Sequence, residues 1–113
     1  MSVTVRGIVE AKYAEATQTT QYTATNVRTT IDKFTVSNVS GGAETIAVNI
    51  VPSGGAAANS NLVLPARSLA SGEVYICPEL VGHVLEPGDM ISTVASATSS
   101  LVIRISGREV TTS

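Results

Sequence analysis

Residues 85–110 read LEPGDMISTVASATSSLVIRISGREV, and this stretch decides the fold class. Glu86-Pro87-Gly88-Asp89 has the chemistry of a type II turn. Proline presets φ at the first central position and glycine supplies the positive φ at the second. After the turn the residues alternate: Ile91, Thr93 and Ala95 share one face, Met90, Ser92 and Val94 the other. Further on, Leu101, Ile103 and Ile105 point one way while Arg104, Ser106 and Arg108 point the other. A period of two is the mark of a half-buried strand. The segment Ser96–Ser100 between the two runs reads as a hairpin connection, although it lacks an Asn-Gly or Asp-Gly signal. The expectation is a closing β-hairpin.

The same pattern runs outward from there. Thr29–Val39 predicts a strand with Phe34 and Val36 on one face and Ile31 and Thr35 on the other. Ser40-Gly41-Gly42-Ala43 reads as a turn, and Thr45–Val51 as the hairpin partner, with Ile46, Val48 and Ile50 as a buried stripe. The loop Ser53–Asn61 has no large side chain and is expected to be mobile. Its glycines are not a phosphate-binding loop, because no Lys-Ser/Thr follows and no helix starts there. Leu62–Leu64 begins a short strand that Pro65 limits to an edge. Val74–Cys77 makes another, stopped by Pro78. Val3, Val5, Gly7 and Val9 alternate in a first strand, apolar enough on both faces to lie inside a sheet or against a neighbour. Ala11–Thr25 is rich in Thr, Gln and Ala and reads as an irregular arm or edge segment.

Seven to eight short strands with frequent turn signals and no amphipathic helix predict an all-β, antiparallel, jelly-roll-like sandwich. The expected core is Phe34, Val36, Ile46, Val48, Ile50, Leu62, Leu64, Val74, Ile76, Leu85, Ile91, Leu101, Ile103 and Ile105. With 113 residues the chain fits one domain. Residues 1–30 form its N-terminal strand and arm, and residues 31–113 the sandwich body.

Composition removes several function classes. Seven basic and nine acidic residues are scattered, with no basic run, so nucleic-acid binding has no electrostatic footprint. Aromatic content is 4% with no tryptophan, which weighs against stacking platforms for sugars or bases. The start shows no charged region followed by an apolar one, so no signal peptide is expected, and no apolar run approaches a membrane span. Synthesis in a cytoplasm follows as an expectation. The single cysteine, Cys77, lies in an apolar run and reads as a buried thiol. His83 is the sole histidine, without zinc-ligand spacing around it. Glu79, Glu86 and Asp89 are oxygen donors close in sequence, as calcium would need, but Glu86 and Asp89 already serve the turn. No serine has a base or an elbow motif to activate it. The expectations are a protein that is not an enzyme, with no metal and no cofactor.

Four stretches carry a family resemblance: Thr45–Gly55 with its VPSGG, Leu69–Glu73, Leu85–Ser92, and Val102–Val110 with its final SGRE. In this order, from Phe34 onward, the chain resembles small virion structural proteins of tailed bacteriophages, most of all capsid decoration (cement) proteins. The resemblance implies a non-enzymatic β-sandwich on the outer capsid surface of a virion. It also implies two partners, the major capsid protein and a second copy of the chain, a homodimer before a homotrimer. A tail, baseplate or fibre component is the alternative, with the loop Gly54–Asn61 as its exposed tip. Residues 1–30 depart from the shared pattern and are the expected place for specific contacts. Val3, Val5, Lys12, Tyr13, Gln18, Gln21, Tyr22 and Arg28 are the candidate interface residues. On this reading, deleting residues 1–25 should leave a folded domain that no longer binds capsids.

Overall fold

The computed structural model describes residues 2–111. It contains nine strands: β1 (Val3–Tyr13), β2 (Thr19–Thr23), β3 (Val27–Asn38), β4 (Glu44–Val51), β5 (Leu62–Leu69), β6 (Val74–Tyr75), β7 (Val84–Leu85), β8 (Met90–Ala95) and β9 (Leu101–Thr111). Two antiparallel sheets pack face to face as a sandwich. One, here sheet A, has the order β1-β9-β3-β6, with β7 also on β3. The other, sheet B, has the order β2-β8-β4-β5.

The turn at Glu86–Asp89 forms as its residues dictate. The Asp89 N–H donates to the Glu86 carbonyl at 2.9 Å, and Gly88 takes φ +93°. Asp89 then accepts from the Glu86 N–H and from the Ser53 N–H, both at 3.0 Å. The strands that follow do not form a hairpin. β8 belongs to sheet B and β9 to sheet A, so Ser96–Ser100 arches across the sandwich, with Ser99 at φ +54°. The expected hairpin of β3 and β4 is likewise an arch between sheets. Among the described residues only β4 and β5 pair as strands adjacent in sequence within one sheet.

The core fills the space between the layers. Phe34, Val36, Ile46, Val48, Leu64, Leu85, Ile91, Leu101, Ile103 and Ile105 are buried as expected. Ile50 and Leu62 are half-buried. Val74 and Ile76 are exposed instead, at 57% and 60%. In the run Val74-Tyr75-Ile76-Cys77 both alternating sets are apolar, and it is Tyr75 and Cys77 that turn inward. Ile8, Val9, Ile31, Leu69, Cys77 and Leu80 are also part of the core. Ile31 shares the face of Phe34 because the register with β9 shifts between Ile31 and Lys33. One extra residue at a bulge reverses the parity of everything beyond it. Beside this bulge Gly107 lies so close to β3 that a Cβ there would sit 2.3 Å from the Thr30 carbonyl oxygen.

The first 30 residues are part of the sandwich rather than an appendage. β1 is paired along β9 from Val3↔Val110 to Tyr13↔Val102, and β2 is paired to β8. Ala14, just past β1, and Ala24, just past β2, are fully buried. β1 does not lie inside a sheet: it is the edge strand of sheet A, and Val3 and Val5 are exposed at 58% and 74%. The loop 53–61 is hooked down rather than loose. The Asn49 amide donates to the Ala58 carbonyl (3.0 Å) and to Asn61 Oδ1 (2.8 Å). Asn61 in turn donates to the Ala56 carbonyl and accepts from the Ala58 N–H.

Candidate protein interface

The eight residues singled out from the sequence fall into three groups. Val3, Val5 and Tyr13 lie exposed along β1. Their partners on β9 are Val110, Arg108 and Val102, so all three stand on the outer face of sheet A. Lys12 and Arg28 are exposed but paired, Lys12 with Glu15 at 2.9 Å and Arg28 with Glu86 at 2.9 Å. Gln18 is exposed and donates to Ser92 Oγ at 2.7 Å. Gln21 and Tyr22 are half-buried, with their donors spent inside the chain.

Tyr22 ties sheet B to sheet A. Its hydroxyl donates to Glu109 Oε2 at 2.5 Å and lies 2.7 Å from Thr29 Oγ1. Glu109 also accepts from Arg6 at 3.1 Å. Burial, and then the Glu109 carboxylate, push the Tyr22 hydroxyl up to about 12, since both disfavour a phenolate. Gln21 donates to Glu15 Oε1 (2.8 Å) and Thr93 Oγ1 (3.0 Å). The Gln21 bond, followed by that of Lys12, holds the Glu15 carboxyl below its ordinary range. These are latches within one chain, and they remove Gln21 and Tyr22 from any flat contact surface.

A second apolar rim lies at the opposite edge of sheet A. Val74 stands on β6, Val84 on β7, and Ile76 and Val81 on the connection between them, all exposed. Val39, just past the end of β3, extends the rim. With Val3, Val5 and Tyr13 these make up every large exposed apolar side chain among the described residues. None belongs to sheet B. Sequence reading missed this rim because it assigned Val74 and Ile76 to the core.

Beneath the rim Tyr75 donates to the Glu79 carboxylate, and the Arg67 guanidinium stacks 3.9 Å from the Tyr75 ring centre. The phenol is raised to about 12, by desolvation first and Glu79 second. Glu79 is held low by that same bond. Burial raises the Cys77 thiol to about 12 as well, so it is poorly nucleophilic.

Three hollows among the described residues have no ionisable group in their linings. A hollow of about 250 Å³ on sheet B is lined by residues including Gln18, Asn49, Ala58 and Val94. A neighbouring one is bounded by Thr20, Ala57 and Ser92, and a third by Thr25, Asn26 and Pro87. Their linings are amides, hydroxyls and small apolar groups, without an acid, a base or an activated nucleophile. Glu79, Glu86 and Asp89 engage Tyr75, Arg28 and the turn backbone respectively. Among the described residues no three His, Cys, Asp or Glu side chains are grouped to hold a metal. The chain matches no protein-family model, no curated protein and no solved structure.

Proposed function

We propose that this protein is a bacteriophage capsid decoration (cement) protein that binds the outer surface of the major capsid protein shell. The observation that carries the reading is the placement of its exposed apolar side chains. They line the two edges of one sheet, while the other sheet has no large apolar side chain among the exposed ones. Large apolar groups gathered at rims are what a protein that packs against other protein presents. The hollows, without ionisable groups, fit a binding role better than a catalytic one.

The strand order supports a jelly roll as the finer architecture. First and last strands are neighbours in one sheet, second and eighth in the other. Double-sheet jelly rolls occur in viral capsid, lectin and cupin domains, so the architecture suits a virion protein without specifying one. On this reading the rim of Val39, Val74, Ile76, Val81 and Val84 meets the shell.

Purified particles of a phage that encodes the chain provide the test. A copy number comparable to that of the major capsid protein is expected, and a tail-like handful of copies would move the protein to the tail. Added to shells that lack it, the purified chain should bind, and Ile76→Lys with Val84→Lys should abolish binding. Both side chains are exposed, so the fold should change by less than about 0.5 kcal/mol. Wild-type chain that leaves such shells bare would overturn the assignment.

A further inference from the structure

We propose that two copies of this chain pair through the free edge of β1, antiparallel about a twofold axis beside Thr4, with Val3 of one copy against Val5 of the other. The proposal rests on the self-association implied for a decoration protein, but not on the shell.

Exposed strand edges invite pairing, and proteins blunt them with short strands, prolines and bulges. Three of the four sheet edges here are blunted in that way. β2 has five residues and a register shift between Thr20 and Tyr22. β5 carries Pro65 and shifts against β4. β6 and β7 have two residues each and are separated by a connection that contains Pro78. In β1 the register with β9 is unbroken from Val3 to Gly7, and irregularities begin only after Gly7. This open half bears the most exposed large apolar side chain of the described residues, Val5.

The backbone there is set for a further strand. The Thr111 N–H donates to the Ser2 carbonyl at 3.0 Å. Hydrogen-bonded and non-bonded pairs alternate along an antiparallel ladder. Thr4 and Arg6 therefore also turn their N–H and C=O toward β9. Val3, Val5 and Gly7 turn theirs to the open edge, where the described chain supplies no strand.

The side chains select a second copy as the occupant. Pleat parity requires outer-face residues to meet outer-face residues. With Val3 beside Val5 and Val5 beside Val3, four valines form one cluster, flanked by the Val110 of each copy, which pairs with Val3. On the inner face Thr4 meets Thr4, and Arg6 meets Ser2 while keeping its bond to Glu109. Sliding the strands to bring Arg6 against Arg6 would oppose like charges and disperse the valines. The segment Ser2–Arg6 is its own complement. Its contact is smaller than the roughly 1,200 Å² at which stable interfaces begin, so association should be weak and concentration-dependent.

Opposed Thr4 residues would form a non-hydrogen-bonded pair with Cα atoms about 4.5 Å apart, within the disulfide range of about 4.4–6.8 Å. The Thr4→Cys chain should oxidise to a covalent dimer at high protein concentration, while the buried native Cys77 leaves the wild type uncrosslinked. Adding Val5→Lys should prevent the cross-link and leave the circular dichroism spectrum and melting of the chain unchanged. In sedimentation the wild type should show a dimer fraction that rises with concentration. A Thr4→Cys chain that stays monomeric, or one that cross-links equally well with Val5→Lys, would overturn the proposal. Because no shell enters these measurements, their failure is separable from failure of the capsid assignment.

Discussion

The two sheets share one core but meet their surroundings differently. Sheet A is built on strands of eleven, twelve and eleven residues, β1, β3 and β9, and carries exposed valines, an isoleucine and a tyrosine on both edges. Sheet B has shorter strands, of five to eight residues, and an outer face on which Val51, Met90 and Val94 lie among Gln18, Ala47, Asn49 and Ser92, partly roofed by the 53–61 loop and without an exposed large apolar side chain. A sandwich needs only its inward faces to be apolar. What a sheet keeps apolar on its rim is therefore surplus to folding, and only sheet A has this surplus. The contrast separates a sheet whose apolar rims stand open to solvent from a sheet whose outer loop is held by polar hooks.

The largest effect should come from removing residues 1–25. That deletion strips β1 from sheet A and β2 from sheet B and uncovers the core beside Leu101, Ile103 and Ile105. The truncated chain should lose its cooperative melting transition, read by circular dichroism. A truncated chain that melts cooperatively would show that the two outer strands are dispensable to both sheets. Next in size is Asn49→Ala, which unhooks the loop over sheet B. It should cost about 1–3 kcal/mol in urea denaturation and speed amide hydrogen exchange at Ala58 and Asn61, with the amides of β3 and β9 unaffected below global unfolding. Smaller still is Tyr22→Phe, which cuts the latch between the sheets at a cost of about 1 kcal/mol. This variant also has a pH signature. The Tyr22 hydroxyl is raised in the folded chain from 10.0 to about 12, so its contribution is complete below pH 10 and is lost as pH climbs toward 12. Wild-type stability should fall through that window more steeply than that of the variant.

The fold class was legible because alternation reports which side chains face inward. Leu101, Ile103 and Ile105 stand in the core for that reason, and the turn at Glu86–Asp89 follows from its proline and glycine. Alternation does not report which sheet a strand joins. Ser96–Ser100 suits a hairpin and an arch equally, so β8 and β9 read as partners when they lie in opposite layers. The bulge at Asp32 has no sequence signal, and it alone decides that Ile31 joins Phe34. At Val74–Cys77 both parities are apolar, so the pattern has no vote and the rim reads as core. The candidate interface was legible in part. Val3, Val5 and Tyr13 share one exposed edge, whereas the engagement of Gln21 and Tyr22 depends on Glu15, Thr29, Thr93 and Glu109, which are distant in sequence or on other elements.

The pairing of β1 with β9 has a consequence for the birth of the molecule. Val3 finds Val110 only after more than a hundred residues have been made, and most other pairings also join distant segments. Chains dominated by such non-local contacts fold slowly, on millisecond-to-second scales. While the chain is still emerging from the ribosome, β1 has no partner within it, and its valines stay open to other molecules. Newly made chains should therefore depend on dilution or chaperones until β9 arrives to cover one side of β1.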